Sequence, residues 1–259
     1  MKKQAIIMVS FGTTRPQTRE RAIGGIERAV QARFPGIPVF RAFTSHIVIR
    51  EIEKNEGISV PSLDTLLASL KEEGYTRLVI QPTHIIHGEE YEKLHAQIQG
   101  FVRNFEEIRL GAPLLNRTED YFALLKAAIP FYHLQPEEAL IWMGHGTAHF
   151  ADAAYSAMDS MAKDAGYEQV FVTTVEGYPT LAAAEKKLRR AGYRNLCLAP
   201  LMVVAGDHAE NDMAGPKDSF SSALAQQGYQ VRCVLAGLGE IPAVQEIYLS
   251  HLQQAKTLS

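Results

Sequence analysis

Apolar and polar positions along the chain form blocks that predict strands and helices in regular succession. Short apolar runs at residues 5–9 and 139–142 have the length of buried strands. Residues 16–34 carry apolar positions at helical spacing, and Pro16 stands at a favourable first-turn position. Strand and helix alternate in this way through the whole chain, which predicts parallel sheets flanked by helices. We therefore expect an α/β fold.

The chain also contains an internal repeat. The segment GYTRLVIQP at 74–82 aligns without a gap on GYRNLCLAP at 192–200, an offset of 118 residues (74 to 192). The repeat predicts two related α/β lobes, at residues 1–125 and 126–259, with a small helical insertion near 52–66. A ligand site is then expected in a cleft between the lobes, at the carboxyl ends of the strands.

A Gly-Tyr pair recurs four times, each time after a polar helical segment and just before a strand. The pairs begin at Gly74, Gly166, Gly192 and Gly228. Glycine at such a position supplies the left-handed residue that ends a helix. The four pairs therefore predict four helix ends.

Composition excludes several classes of function. The 259 residues are 46% hydrophobic and 21% charged, with a net charge of -3 and a pI near 6.3. The chain therefore lacks the basic surface of a nucleic-acid-binding protein. Its apolar runs are too short to span a membrane or to form a signal-peptide core, so we expect a cytoplasmic protein. Cys197 and Cys233 lie in strand-like runs and are expected to be free thiols.

Two histidines follow strand-like runs next to glycines. His145 lies between Gly144 and Gly146, and His208 follows the apolar run 196–204 and Gly206. Glycine leaves open space beside the backbone, so such imidazoles are presented rather than buried. Imidazole nitrogens at two strand ends predict a site for a transition metal or for proton transfer.

An acidic residue follows a third strand of the same lobe. Glu176 comes after the run 170–174 and before Gly177, and is the natural third metal ligand, although alone it reads as a solvated loop acid. His149, four residues after His145, is either a further site residue or an ordinary first-turn residue.

The first lobe offers a second set of polar groups. Glu90 falls on His208 in the repeat and is expected to reach the cleft, and His87 is a candidate to line it. The hydroxyls of Ser10 and Thr13 and the amides around Gly12 are able to bind an anionic group. That loop has one glycine where a dinucleotide fingerprint needs three, and neither a Walker A pattern nor a serine-hydrolase elbow occurs in the chain. We therefore expect no nucleotide and no ATP.

Several segments together resemble a known family, the anaerobic, class II cobalt chelatases of cobalamin biosynthesis. They are VSFGT at 9–13, FRAFTS at 40–45, GEEYEK at 88–93, MGHG at 143–146 and LMVVAGDHAENDMA at 201–214. The likeness covers essentially the whole chain. It departs from the family at Gly88-Glu89-Glu90, where Gly-Asp-Glu is expected.

The resemblance implies a two-lobed, ferrochelatase-like fold and insertion of Co²⁺ into sirohydrochlorin without ATP. His145, Glu176 and His208 fall on the family's metal-binding positions, and His145 and Glu90 are the expected catalytic residues. Iron or nickel insertion into the same tetrapyrrole, and a non-enzymatic carrier of tetrapyrrole or metal, are the alternatives.

The expected partners are sirohydrochlorin and a divalent metal ion, with no nucleic acid and no membrane; self-association into a homo-oligomer stays open. Ser10, Gly12, Thr13 and His87 are the candidate substrate-binding residues. Arg15 and Arg50 are weaker candidates for the carboxylates of the tetrapyrrole.

Overall fold

The protein is described here by a computed structural model covering residues 3–258. The chain divides into two compact units. The first comprises the residues up to Asn116 together with those from Gln245 onward, and the second is Arg117–Val244.

Each unit is an α/β layer structure. The strands are β1 Gln4–Ser10, β2 Val39–Phe43, β3 Arg77–Pro82, β4 Glu107–Leu110, β5 Glu138–Gly144, β6 Val170–Thr174, β7 Asn195–Pro200, β8 Gln230–Cys233 and β9 Lys256–Thr257. The α-helices are α1 Pro16–Thr18, α2 Gly24–Arg33, α3 His46–Glu56, α4 Leu63–Glu72, α5 Glu89–Gln99, α6 Thr118–Ala128, α7 Ala153–Asp164, α8 Leu181–Ala191, α9 Phe220–Gln226 and α10 Pro242–Gln253. A π-helical turn, Arg19–Ile23, joins α1 to α2, so the predicted helix over 16–34 forms with one widened turn.

Apart from the edge strand β9, the two sheets have the same strand order, and both have the α/β arrangement expected from the sequence. The first is β2-β1-β3-β4-β9, and the second is β6-β5-β7-β8. All neighbouring strands run parallel except β9, which is antiparallel to β4. The central strands β1 and β5 are buried almost throughout, as parallel strands covered on both faces must be.

The ends of the chain group differently from the expected lobes 1–125 and 126–259. Strand β9 pairs with β4, and the Arg109 side chain donates hydrogen bonds to the carbonyls of Ala255 (3.0 Å) and Gln253 (3.2 Å). The Tyr248 hydroxyl in α10 donates to the carbonyl of Thr83 at 2.8 Å. The last residues therefore complete the first unit, because β4 leaves a strand edge open there. Local sequence patterns do not show this long-range pairing.

The extra helix of the first unit is α3. Between β2 and β3 the chain forms α3 and α4, whereas between β6 and β7 it forms only α8. Ser45 caps the start of α3 by accepting a hydrogen bond from the Val48 amide, and Gly57 ends it at φ +66°. The insertion expected near 52–66 therefore begins earlier, directly after β2.

Other local predictions agree with the structure. The four Gly-Tyr glycines all have positive φ, between 79° and 88°. Cys197 and Cys233 are free thiols, and burial raises the pKa of Cys197 to about 12, which keeps this thiol protonated. Within residues 3–258, no helix combines the length and the apolar character that crossing a membrane requires.

Candidate metal centre

His145 is held at the end of the central strand of the second unit. Strand β5 is buried along its whole length and ends at Gly144, after which His145 is exposed. A Cβ on Gly144 would lie 2.2 Å from Cε1 of Tyr155 in α7, so only glycine fits this strand end. Gly146, at φ +81°, packs against the loop that follows β6. A Cβ on Gly146 would lie 2.4 Å from the Gly177 nitrogen. The imidazole is thus presented by tightly packed backbone.

His208 lies at the start of a short π-helical segment, Ala209–Met213. The apolar run 196–204 was expected to be one strand, but β7 ends at Pro200, four residues earlier. At that point the Leu201 amide donates to the carbonyl of Met143 at 2.7 Å, and residues 201–204 form bends. Beyond the strand, Leu201 is buried, Met202 packs half-buried against the core, and residues 203–204 are half-buried. π-Helical turns of this kind occur frequently at functional sites.

The two imidazoles meet edge to face. Their ring centroids are 4.6 Å apart and the ring planes are perpendicular. Nδ1 of His145 lies 2.8 Å from its neighbour's carbonyl, that of Gly146, and Nδ1 of His208 lies 2.6 Å from Oδ2 of Asp212. A carbonyl only accepts hydrogen bonds, and so does an ionised carboxylate, so each Nδ1 carries the proton. In the neutral rings both Nε2 atoms then keep a lone pair for a metal ion or a proton.

Glu176 follows β6, the strand next to β5, as expected. Its amide donates to the carbonyl of His145 at 2.9 Å, and its side chain is exposed. Nevertheless, residues 3–258 contain no ready-made group of three or more histidine, cysteine or acidic side chains that would hold a metal. The structure therefore brings together two imidazoles and the backbone of Glu176, and the Glu176 carboxylate as third ligand remains a prediction.

His149 has a local role in the structure. It precedes the short 3-10 helix Phe150–Asp152, and its Nδ1 accepts a hydrogen bond from the Ala151 amide at 3.2 Å. His149 was predicted to be either a further site residue or an ordinary first-turn residue, and this contact favours the first-turn role.

The first unit places Glu90 in the first turn of α5. Its carboxylate pairs with Lys93 at 3.0 Å, and the same ammonium contacts Glu89 at 2.9 Å. His87 is exposed, its Nε2 lies 2.8 Å from Oδ1 of Asn116, and its ring packs edge-on against Tyr91 at 4.3 Å. Glu90 and His87 therefore reach the surface of the first unit at one end of α5.

His84 is the unusual titratable group of this unit. Both of its ring nitrogens are buried, and neither has a hydrogen-bond partner. Burial lowers the pKa of His84 to about 4, although the charge of Glu90 opposes this shift. His84 is therefore a neutral imidazole at physiological pH.

The loop after β1 is more enclosed than its sequence suggests. The Ser10 hydroxyl is buried and accepts a hydrogen bond from the Thr83 hydroxyl at 2.8 Å, and the Thr13 hydroxyl accepts one from the Arg15 amide at 3.3 Å. Gly12, at φ +100°, packs so closely that a Cβ would lie 2.7 Å from the Phe43 ring. The roles of Ser10, Gly12 and Thr13 in substrate binding stay predictions. Arg15 and Arg50 are both exposed.

Two acidic residues of the centre were not singled out from the sequence. Asp212 contacts His208 from the next helical turn, and the i,i+4 spacing of the two residues was a usable signal. Asp152 connects the loops that follow β5 and β6, accepting hydrogen bonds from the amides of Thr147 (3.0 Å) and Tyr178 (2.8 Å). That contact joins separate loops, so no local sequence pattern indicates it.

Comparison with known proteins identifies the family of the chain. The profile of the cobalt chelatase (CbiK) family matches residues 4–257. The chain belongs to this cobalt chelatase family. The sirohydrochlorin cobaltochelatase of Salmonella typhimurium is 38% identical over 99% of this chain and 98% of its own length. The sirohydrochlorin cobaltochelatase CbiKC of Nitratidesulfovibrio vulgaris is 34% identical over 98% of this chain and 91% of its own.

A solved chelatase structure has the same fold. SirB from Bacillus subtilis with Fe³⁺ matches with a TM-score of 0.66 at 12% identity, covering 98% of this chain and 95% of SirB. At this identity the match concerns the fold alone. It agrees with the ferrochelatase-like, two-unit α/β architecture expected for a cobalt chelatase.

Proposed function

We propose that this cobalt chelatase inserts Co²⁺ into sirohydrochlorin without ATP, as a step of anaerobic cobalamin biosynthesis. The observation that carries the proposal is the pair of imidazoles at 4.6 Å, each held through Nδ1 so that Nε2 is available. Both curated relatives named above are sirohydrochlorin cobaltochelatases, and the chain aligns with them over nearly its full length.

The reaction exchanges two protons for one divalent ion. Sirohydrochlorin carries two pyrrole N–H protons, and both must leave when Co²⁺ bonds to the four ring nitrogens. In the proposal, Nε2 of His145 and of His208 binds the incoming ion, and Glu176 supplies a carboxylate oxygen. These are ligand types that suit a divalent transition metal with open positions. The ring nitrogens then replace the protein ligands one after another.

Proton removal falls to the residue released from the metal. As the His145–metal bond breaks, Nε2 regains its lone pair and accepts a pyrrole proton. That proton passes to solvent, so the same atom is able to accept the second one. Glu90 is kept as a second candidate proton acceptor, and its carboxylate contacts the Lys93 ammonium at 3.0 Å. Ser10, Gly12, Thr13 and His87 remain the candidates for binding the substrate.

The direct test is insertion with purified protein. Sirohydrochlorin is incubated with Co²⁺, Fe²⁺ or Ni²⁺ in separate reactions, without ATP, and the visible absorbance of the macrocycle is followed against protein-free controls. We expect the fastest protein-dependent insertion with Co²⁺. Faster insertion of Fe²⁺ or Ni²⁺ would reassign the metal, whereas tetrapyrrole binding with no insertion of any ion would favour a carrier.

A further inference from the structure

The loops that follow β5 and β6 are joined by one side chain. The first loop carries His145, and the second, residues 175–180, carries Glu176. One carboxylate oxygen of Asp152 accepts from the Thr147 amide in the first loop, and the other accepts from the Tyr178 amide in the second. Amide donors to a carboxylate form charge-assisted hydrogen bonds, which are stronger than neutral ones.

The backbone around this carboxylate is packed without room for other side chains. A Cβ on Gly177 would lie 2.1 Å from Oδ1 of Asp152, and a Cβ on Gly146 would lie 2.4 Å from the Gly177 nitrogen. The Thr174 hydroxyl accepts a further hydrogen bond from the Gly177 amide at 3.1 Å. The glycines therefore let the two loops approach closely enough for Asp152 to bond both.

Glu176 is anchored on both sides by this arrangement. On one side its own amide donates to the carbonyl of His145 at 2.9 Å, and two residues later the Tyr178 amide is held by Asp152. Asp152 itself makes its hydrogen bonds to backbone amides, so it acts on the loops and not as a ligand.

We propose that Asp152 is a positioning residue that fixes Glu176 relative to His145, so that the carboxylate of Glu176 is able to complete the metal site. This rests on the proposed metal set of His145, Glu176 and His208. Residues that orient metal ligands typically contribute 10- to 100-fold to metal affinity. Loss of Asp152 is therefore expected to weaken Co²⁺ binding about 10- to 100-fold.

The second unit contains a matched control. Asp159 in α7 also joins elements through its carboxylate, accepting from the Val172 amide at 2.8 Å and from Lys187 at 2.6 Å. Its partners lie in β6 and α8 and not in the two ligand loops. Asp159→Ala should therefore lower the melting temperature while leaving Co²⁺ affinity close to that of the parent protein.

The experiment measures Co²⁺ binding to the full chain without tetrapyrrole, by calorimetry and by the visible d–d absorption of the bound ion. Asp152→Ala should weaken Co²⁺ binding and change the absorption. Asp152→Asn should have an intermediate affinity because one carbonyl acceptor remains. Gly177→Ala should have an affinity and absorption similar to those of Asp152→Ala. If Asp152→Ala fails to fold, Asp152→Asn and Gly177→Ala still test the idea.

A double-mutant cycle separates positioning from general loosening. If Asp152 acts through Glu176, then Asp152→Ala in a Glu176→Gln background should weaken Co²⁺ binding little further. Additive losses, or a loss no larger than that of Asp159→Ala, would overturn the proposal, as would a parent protein that does not bind Co²⁺. A parent protein that binds Co²⁺ but never inserts it would refute the proposed function and leave the role of Asp152 intact.

Discussion

At the scale of single residues, the centre depends on how two imidazoles are held. The carbonyl of Gly146 and the carboxylate of Asp212 each accept a hydrogen bond from an Nδ1. In the neutral rings, both Nε2 atoms therefore keep a lone pair. A presented side chain of this kind contributes little to packing. Its removal should therefore affect metal binding much more than folding.

His208→Ala tests this directly. The substitution removes one of the two imidazoles proposed to bind the metal, so Co²⁺ affinity should fall by at least ~10-fold. The melting temperature should stay within about 2 °C because only a partly exposed side chain is lost. Calorimetric titration with Co²⁺ and a thermal scan measure the two effects. Unchanged Co²⁺ affinity would place the metal elsewhere.

His84 provides a prediction on pH and stability. Its pKa is about 4 in the folded protein and near the ordinary 6.5 when unfolded, so the unfolded chain binds more protons between these values. The stability of the first unit should therefore be complete above pH 6.5 and fall as the pH drops toward 4. The loss from this group is about 2 kcal/mol at pH 5.

His84→Leu should reduce this loss of stability at low pH. The substitution breaks no hydrogen bond, because neither buried ring nitrogen has a hydrogen-bond partner. Amide hydrogen exchange of peptides from β1 and β3 reports the stability of the first unit alone. The exchange rates are corrected for the pH dependence of intrinsic exchange. His46→Leu is the control, since that ring is exposed. An equal pH dependence in the parent protein and in His84→Leu would exclude His84 as its source.

At the scale of elements, the sequence predicted what local patterns determine. The strands β3 and β7 keep the offset of 118 residues found in the repeat, and the four Gly-Tyr pairs end helices as expected. Features that depend on contacts between residues far apart in sequence were not predicted. The apolar run 196–204 continues past the end of β7, where Leu201 is buried and Met202 packs against the core without strand pairing. Strand β9 pairs with β4, whose edge lies far away in sequence.

The same division holds for the candidate site. The sequence predicted His145, Glu176 and His208 as site residues because each follows an apolar run in a parallel α/β pattern. The structure brings the two imidazoles together, and the Glu176 carboxylate stays a prediction. Asp152 escaped because its two partners lie in loops joined only by folding.

The π-helical turn after His208 contains an acidic residue that contacts the imidazole. Asp212 in that turn accepts from Nδ1 of His208 and so orients the ring. Asp212→Asn replaces a charged acceptor with an amide, which should weaken Co²⁺ binding about 10- to 100-fold without unfolding the turn. Asn211→Ala, a neighbouring exposed position, is the control for the turn itself. Equal affinities of the Asp212→Asn and Asn211→Ala variants would show that the contact with Asp212 does not matter.

At the scale of the whole molecule, two units of one topology carry different chemistry. Where the second unit has His145-Gly146-Thr147 after its central strand, the first has Phe11-Gly12-Thr13, and in the 118-residue repeat Glu90 stands where the second has His208. The imidazole pair therefore belongs to the second unit.

His145 has two possible roles in metal insertion, as a metal ligand alone or as both a metal ligand and a base. If His145 is only a ligand, His145→Ala should bind Co²⁺ weakly, and saturating Co²⁺ should restore turnover. If His145 is also the base, its loss removes a proton-transfer contribution of about 100- to 10,000-fold that extra metal does not replace. The fixed Nδ1–H and the free Nε2 favour the second role, because the atom that releases the ion is then ready to accept a proton.

We therefore expect His145→Ala to stay nearly inactive in the insertion assay at saturating Co²⁺, while still binding sirohydrochlorin. His149→Ala is the matched control, since that ring lies in the same loop but caps a 3-10 helix. Recovery of near-normal turnover at high Co²⁺ would limit His145 to metal binding and move the search for the base to His208, Glu90 and His87. A parent protein that binds tetrapyrrole and Co²⁺ yet releases no metallated product would make the carrier the better description, because a carrier needs the imidazole pair but no base.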